Sequence, residues 1–169
     1  MNKSQPWYLA ARAENMAIVL LTERSDLEVI RPSNQPPSSP HIQHIDLLVR
    51  ILRPSVERSS LFGVELKAIR ELPGNVANRL EEESNQPIRI DLPIRREDYE
   101  DYGFPICCFL FEIQHNIGFY RWIVSPKDLN SPEHANKVTE SSDFFYRLTL
   151  QALDNIVNSV AQTPIGSRR

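Results

Sequence analysis

Apolar and polar positions along this chain set out one helix, then a series of strands, then a second helix. From Ser4 to about Arg24, Leu9, Ala13, Met16, Ala17 and Leu20 recur at helical spacing and form one stripe, with Ser4 and Pro6 as the start signal. Leu27–Arg31 reads as a short strand. The Pro/Ser-rich stretch from Arg31 to His41 cannot continue regular structure. From Ile42 to Leu52, Ile45, Leu47, Val49 and Ile51 alternate with His44, Asp46, Leu48 and Arg50, which is the period of a strand. Pro54 turns the chain. Leu61–Arg70, reading LFGVELKAIR, is a third strand that pairs most simply with the second as an antiparallel hairpin.

The second half follows the same logic. Arg95–Tyr102 is a short polar helix candidate stopped by Gly103. Pro105–Ile113 is nearly continuous apolar sequence, as in a strand covered on both faces. A turn at His115–Asn116 leads to a strand at Ile117–Val124, and Lys127–Thr139 reads as loop. A last helix, expected over about 142–162 and capped by Ser141 or Ser142, carries Phe144, Phe145, Leu148, Ala152, Leu153, Ile156, Val157 and Val160 as its apolar stripe. The expected fold is a single α/β domain over 1–169, with a central mixed sheet, a core over about 5–126 and a helix covering each face.

Composition narrows the class. With 169 residues, 41% hydrophobic and 24% charged, the chain fits one globular domain with a real core. A net charge of −3 argues against non-specific coating of nucleic acid and leaves room for a local basic surface. The opening residues lack a signal-peptide core, and no apolar run is long enough to span a membrane. The adjacent Cys107 and Cys108 read as buried, reduced hydrophobes on opposite faces of a strand. A cytoplasmic location is therefore expected.

The candidate chemistry lies on the hairpin. Glu65 and Lys67 project from one face of an otherwise apolar strand, and Asp46 sits near the start of its partner. Two carboxylates suit a hard divalent cation that keeps several waters and shares substrate phosphate oxygens. Lys67 is placed to position a water or balance charge at a phosphate. Glu14 on the first helix completes the cluster if that helix packs near the hairpin. Taken as residues alone, Asp46, Glu65 and Lys67 read as a structural ion pair ahead of a catalytic group. Arg50 and Arg70 are candidates for phosphate contacts, with Arg53, Arg58, Arg95 and Arg96 nearby in sequence. A zinc site from His41, His44, Cys107, Cys108 and His115 lacks the usual ligand spacing. Glu112 and His115 read as turn and edge residues, and the aromatics Phe119, Tyr120 and Trp122 as core and half-buried strand positions.

These residues resemble the PD-(D/E)xK phosphodiesterases, and more closely a bacterial nuclease-like domain of unknown function within that superfamily. The likeness runs from about Gln5 to Pro126. It rests on a helix with a glutamate (ARAENMAIVLL), a strand with an aspartate (HIDLLVRI), a strand with Glu-x-Lys (GVELKAI), then a polar helix, an apolar strand and an aromatic strand. The resemblance implies a restriction-endonuclease-like core. It implies Mg²⁺ or Mn²⁺ held by Asp46 and Glu65, Lys67 as the catalytic lysine and Glu14 as an accessory acid. Its partner would be nucleic acid, DNA ahead of RNA, with a homodimer as an option and no membrane. His44, beside the site, stands where related sequences tend to have glycine, and it joins Arg50 and Arg70 as a substrate-contact candidate. The alternative is an inactive nuclease-like domain kept as a nucleic-acid-binding or protein-interaction module.

Overall fold

The structure, a computed structural model, describes residues 7–32, 45–52, 60–74, 86–130 and 143–162. Helix α1 spans Trp7–Thr22 and buries Leu9, Ala13, Ala17 and Leu21, one residue per turn on a single face. It ends where the Thr22 hydroxyl donates to the Ile18 carbonyl at 2.7 Å. Strand β1 (Leu27–Ile30) follows, then β2 (Leu47–Ile51) and β3 (Ser60–Ile69). The remaining elements are β4 (Ile88–Arg89), two single 3₁₀ turns (Arg96–Asp98 and Glu100–Tyr102), β5 (Ile106–Glu112) and β6 (Ile117–Val124). A short helix α2 (Pro126–Asn130), β7 (Phe144–Arg147) and helix α3 (Leu150–Ala161) complete the chain.

The seven strands form one mixed sheet in the order β1-β2-β3-β5-β6-β7-β4. β2 and β3 make the expected antiparallel hairpin, with Leu47 opposite Val64 and Ile51 opposite Ser60. β3 and β5 run parallel over seven matched positions, from Gly63 opposite Ile106 to Ile69 opposite Glu112. Parallel neighbours need a crossover. Here it passes through β4 and the two 3₁₀ turns. β5 is buried at all seven positions, in keeping with its unbroken apolar sequence.

The layers depart from expectation in one respect. Both long helices cover the same face. Leu9, Ala13, Ala17 and Leu21 of α1 share a core with Leu153, Ile156, Val157 and Val160 of α3 and with Phe62, Val64 and Ala68 of β3. The other face is covered by Leu72, Ile88, Ile90, Ile94 and Tyr99 from the crossover, with Leu129 of α2 packed against it. The ion pairs of Arg24 with Asp26 and Asp154 tie the α1–β1 corner to α3, which holds the two helices side by side.

The expected last helix also begins later than 142. Phe144–Arg147 is a strand, in which only Phe145 is buried while Phe144, Tyr146 and Arg147 are exposed. Phe144 and Tyr146 thus face out on either side of buried Phe145, as neighbours on a strand do, and the aromatic residues favour a strand. Helix α3 starts at Leu150, where the Thr149 side chain accepts from the Ala152 N–H at 3.1 Å. Ser141 and Ser142 lie outside the described residues. The stretch expected as loop opens with α2, and Arg95–Tyr102 is two 3₁₀ turns with Gly103 at φ 73° behind them.

One buried carboxylate closes the β5–β6 hairpin. Glu112, fully buried, accepts from the backbone N–H of His115 at 2.8 Å and of Gln114 at 3.2 Å, with His115 Nδ1 at 3.3 Å. It thus satisfies the His115 amide, which the tight turn leaves without a backbone partner, and shares the Gln114 amide with the Arg70 carbonyl at 3.1 Å. The turn places Asn116 at φ 57°, which asparagine tolerates. Glu112→Ala is expected to lower the unfolding free energy by about 2 kcal/mol, since it orphans the His115 amide and takes one of two acceptors from the Gln114 amide. Urea unfolding measures this, and a midpoint equal to that of the parent would contradict the role given to Glu112.

Candidate functional site

Strand β3 sorts its side chains by parity. Phe62, Val64, Leu66 and Ala68 face the two helices. Gly63, Glu65, Lys67 and Ile69 therefore face the crossover layer. Gly63 suits a close approach: a Cβ there would stand 3.1 Å from both the Ile45 and Phe104 side chains, tighter than ordinary contact. Two residues on, Glu65 is only 6% exposed. Its Oε1 forms an ion pair with Lys67 Nζ. Its Oε2 is buried and has no hydrogen-bond partner among the described residues.

Asp46 joins this pair from the start of β2. Its N–H donates to the Val64 carbonyl at 3.1 Å, and its Oδ2 accepts from the Leu66 N–H at 2.7 Å. The side chain thus takes over pairing with β3 where the backbone ladder of β2 gives out. Although the residue is exposed overall, its carboxyl is turned in toward the sheet.

The electrostatics follow from burial. Burial raises the pKa of Glu65, partly offset by the hydrogen bond and charge of Lys67, while the Asp46 charge raises it further and the Tyr99 hydroxyl lowers it. Asp46 is likewise raised by burial, against the Leu66 N–H and Lys67 that lower it, with a further upward push from Glu14. For Lys67 burial lowers the pKa, but the hydrogen bond and charge of Glu65 outweigh it and the net shift is upward. Cys108 lies opposite Glu65 in the parallel register, and burial pushes its thiol up to about 12.

The structure therefore brings together Asp46, Glu65 and Lys67, with Glu14 within electrostatic reach of Asp46. The Glu14 carboxylate itself pairs with Arg31 Nε at 2.7 Å. Arg50 is drawn away to Glu28 on the neighbouring strand at 3.1 Å. Arg70 is exposed just beyond the end of β3. His44, Arg53, Arg58 and His41 lie outside the described residues. Cys107 and Cys108 are buried on opposite faces of β5, so they cannot share a zinc ion. Tyr99 is the residue that the sequence pattern does not single out. It is one of several polar-run positions in REDYEDY, and only the fold shows that it is buried and within electrostatic reach of Glu65.

Among the described residues, no three of His, Cys, Asp and Glu form a metal-holding group. Two carboxylates, one with an unsatisfied buried oxygen, do fit Mg²⁺ or Mn²⁺, which bind through one or two carboxylates and complete their shell with water and phosphate. A separate groove of about 380 Å³, between α1 and the β5–β6 hairpin, is lined by Met16, Leu20, Phe111 and Leu148 and includes none of these groups. No helix among the described residues is long and apolar enough to cross a membrane.

The raised Glu65 carboxyl has a consequence for stability. The folded state binds this proton more tightly than the unfolded state, so Glu65 favours folding below the ordinary carboxyl value of 4.5 and loses that advantage as pH rises through its raised value. Above it, a buried charge is carried at a cost that a neutral amide avoids. Metal-free Glu65→Gln is expected to melt above the parent at pH 7, with the difference shrinking to nothing below pH 4.5. Calorimetry at both pH values checks this, and a lower melting temperature for the variant at pH 7 would reverse the assignment. Compared with family models, curated proteins and solved structures, the chain matches none, so the chemistry of this cluster has to be argued from its own residues.

Proposed function

We propose that this chain is a nucleic-acid phosphodiesterase of the PD-(D/E)xK type that works with Mg²⁺ or Mn²⁺. The observation that carries the reading is the Glu65 carboxylate, buried with one oxygen unsatisfied and flanked by Asp46 and Lys67. A buried polar atom without a partner is costly to keep. At a site that receives a cation, such an oxygen would serve as a ligand, which gives the cost a purpose.

Glu65 and Asp46 would hold the cation. Bound there, it would stabilise charge on the phosphoryl oxygens and make a water more acidic. Lys67 is about one-third exposed, so its ammonium reaches solvent and a docked phosphate while remaining tied to Glu65. It would orient the attacking water and balance the charge that develops on the phosphate. Asp46 has a double task, since the same carboxylate that faces the site also fixes the Leu66 backbone. Glu14, engaged with Arg31, would act at longer range by its charge on Asp46. The substrate would be DNA ahead of RNA.

One observation favours a second reading. Lys67 is already paired with Glu65, and Asp46 already has a backbone donor. A cluster so occupied also suits an inactive nuclease-like domain that binds nucleic acid or protein and cleaves nothing.

Incubation with DNA and RNA substrates in Mg²⁺ or Mn²⁺ separates the two. Cleavage is expected, lost on chelation and reduced at least about 100-fold by Lys67→Ala or Asp46→Ala with the fold intact by circular dichroism. Glu14→Ala is expected to have a smaller effect. Unchanged cleavage in the Lys67 and Asp46 variants would sink the catalytic assignment. Binding without cleavage on all substrates would favour the inactive module.

A further inference from the structure

We propose that the groove beside helix α1 is a dimerisation surface, on which a second copy of this chain docks by antiparallel pairing of the two α1 helices. The inference is independent of the catalytic reading.

The core takes one face of α1, through Leu9, Ala13, Ala17 and Leu21. A neighbouring face forms one wall of the groove of about 380 Å³. On it Arg12, Met16, Val19 and Glu23 stand four, three and four residues apart, which is the spacing of a helix–helix seam. Val19, at the centre of the seam, is 61% exposed. Met16 is half-buried at the edge of the core. Across the groove, Phe111 and Leu148 supply an apolar floor. Gly118 adds no side chain to it, and a Cβ there would stand 3.1 Å from the Phe111 ring and 3.2 Å from Leu148. An exposed valine beside an open apolar floor is surface that a partner's side chains can fill.

The order of charges along the seam selects the partner. A base stands at its N-terminal end, an acid at its C-terminal end and two apolar residues between them. Arg12 with Glu23, and Met16 with Val19, are symmetric about the point between Ala17 and Ile18. A second copy turned end for end about that point brings Met16 of each chain against Val19 of the other, and Arg12 of each against Glu23 of the other. A two-fold interface needs such a self-complementary patch. A parallel pairing instead sets Arg12 against Arg12 and Glu23 against Glu23, which repel. Both charges are available. Arg12 donates to Asn116 Oδ1 at 2.8 Å through one nitrogen and keeps further donors, and Glu23 has no ion-pair partner among the described residues. Glu14, paired with Arg31, lies on the opposite flank of α1, so the seam does not use the flank that looks toward Asp46.

Sedimentation velocity of the full chain, from about 1 to 100 μM, tests the proposal. The parent is expected to shift from 19.5 kDa toward twice that mass as concentration rises. Glu23→Arg leaves the Arg12–Asn116 bond in place and sets two arginines together at each end of the seam. It is expected to weaken self-association at least about 10-fold. Val19→Asp, at an exposed position, is expected to do the same by placing a charge on the apolar floor. Arg12→Glu combined with Glu23→Arg restores opposite charges and is expected to return association to the parent level. A parent that stays monomeric throughout overturns the proposal and leaves the groove to another occupant. Parent-like association in Glu23→Arg or Val19→Asp, folded by circular dichroism, also overturns it. A folded double variant as weak as Glu23→Arg overturns the antiparallel pairing and the proposal with it, and if the double variant does not fold, the two single variants decide.

Discussion

The hydrogen-bonded ladders on both sides of β3 are the constraint on which the rest of the molecule depends. An antiparallel neighbour on one side and a parallel one on the other leave this strand no freedom of register. A slip of one residue would turn Glu65 and Lys67 into the helix layer and Val64 and Leu66 out of it. The parity of one strand thus decides both the hydrophobic core and the place of the charged cluster. It also explains why the cluster can be buried at all, since the crossover layer must cover whatever β3 presents on that face.

Much of this was legible in the sequence. The alternation in HIDLLVRI and GVELKAI gave the hairpin and put Asp46, Glu65 and Lys67 in one neighbourhood, because a strand period of two is a local property. The unbroken run ICCFLFE marked a strand covered on both faces for the same reason. Phe144 and Phe145 were harder to place. Two adjacent aromatics before a true helical stripe satisfy a period of 3.6 as well as one of two, and the choice is made by β4, which pairs with them from a distant position, and by β6, which pairs with the following Tyr146 and Arg147. The placement of both long helices on one face was likewise invisible, since an amphipathic stripe does not say which side of a sheet it will meet.

Tyr99 shows where local pattern stops being informative about a site. Its surroundings in sequence are charged and look solvated. Its surroundings in space are a strand more than thirty positions earlier and a row of rings that runs through Tyr102 to Phe104. The opposite case is Arg50, whose position next to the hairpin suggested a phosphate contact, while the register of β1 with β2 sets Glu28 directly across from it. Charge in a sequence is a count of groups, and which of them remain available to a ligand depends on cross-strand partners.

The parallel pairing of β3 with β5 also has a meaning in time. A hairpin such as β5–β6 closes over a four-residue turn, whereas β3 meets β5 only after the chain from 70 to 105 has looped back. Long-range parallel pairing is slow because the entropy of closing the loop is lost before the contacts form. The groups that bury Glu65 lie on that same returning segment and on β5. Until the loop closes, Glu65 is an ordinary solvated glutamate. Its unusual environment is acquired late, by the closure that joins the two halves of the sheet.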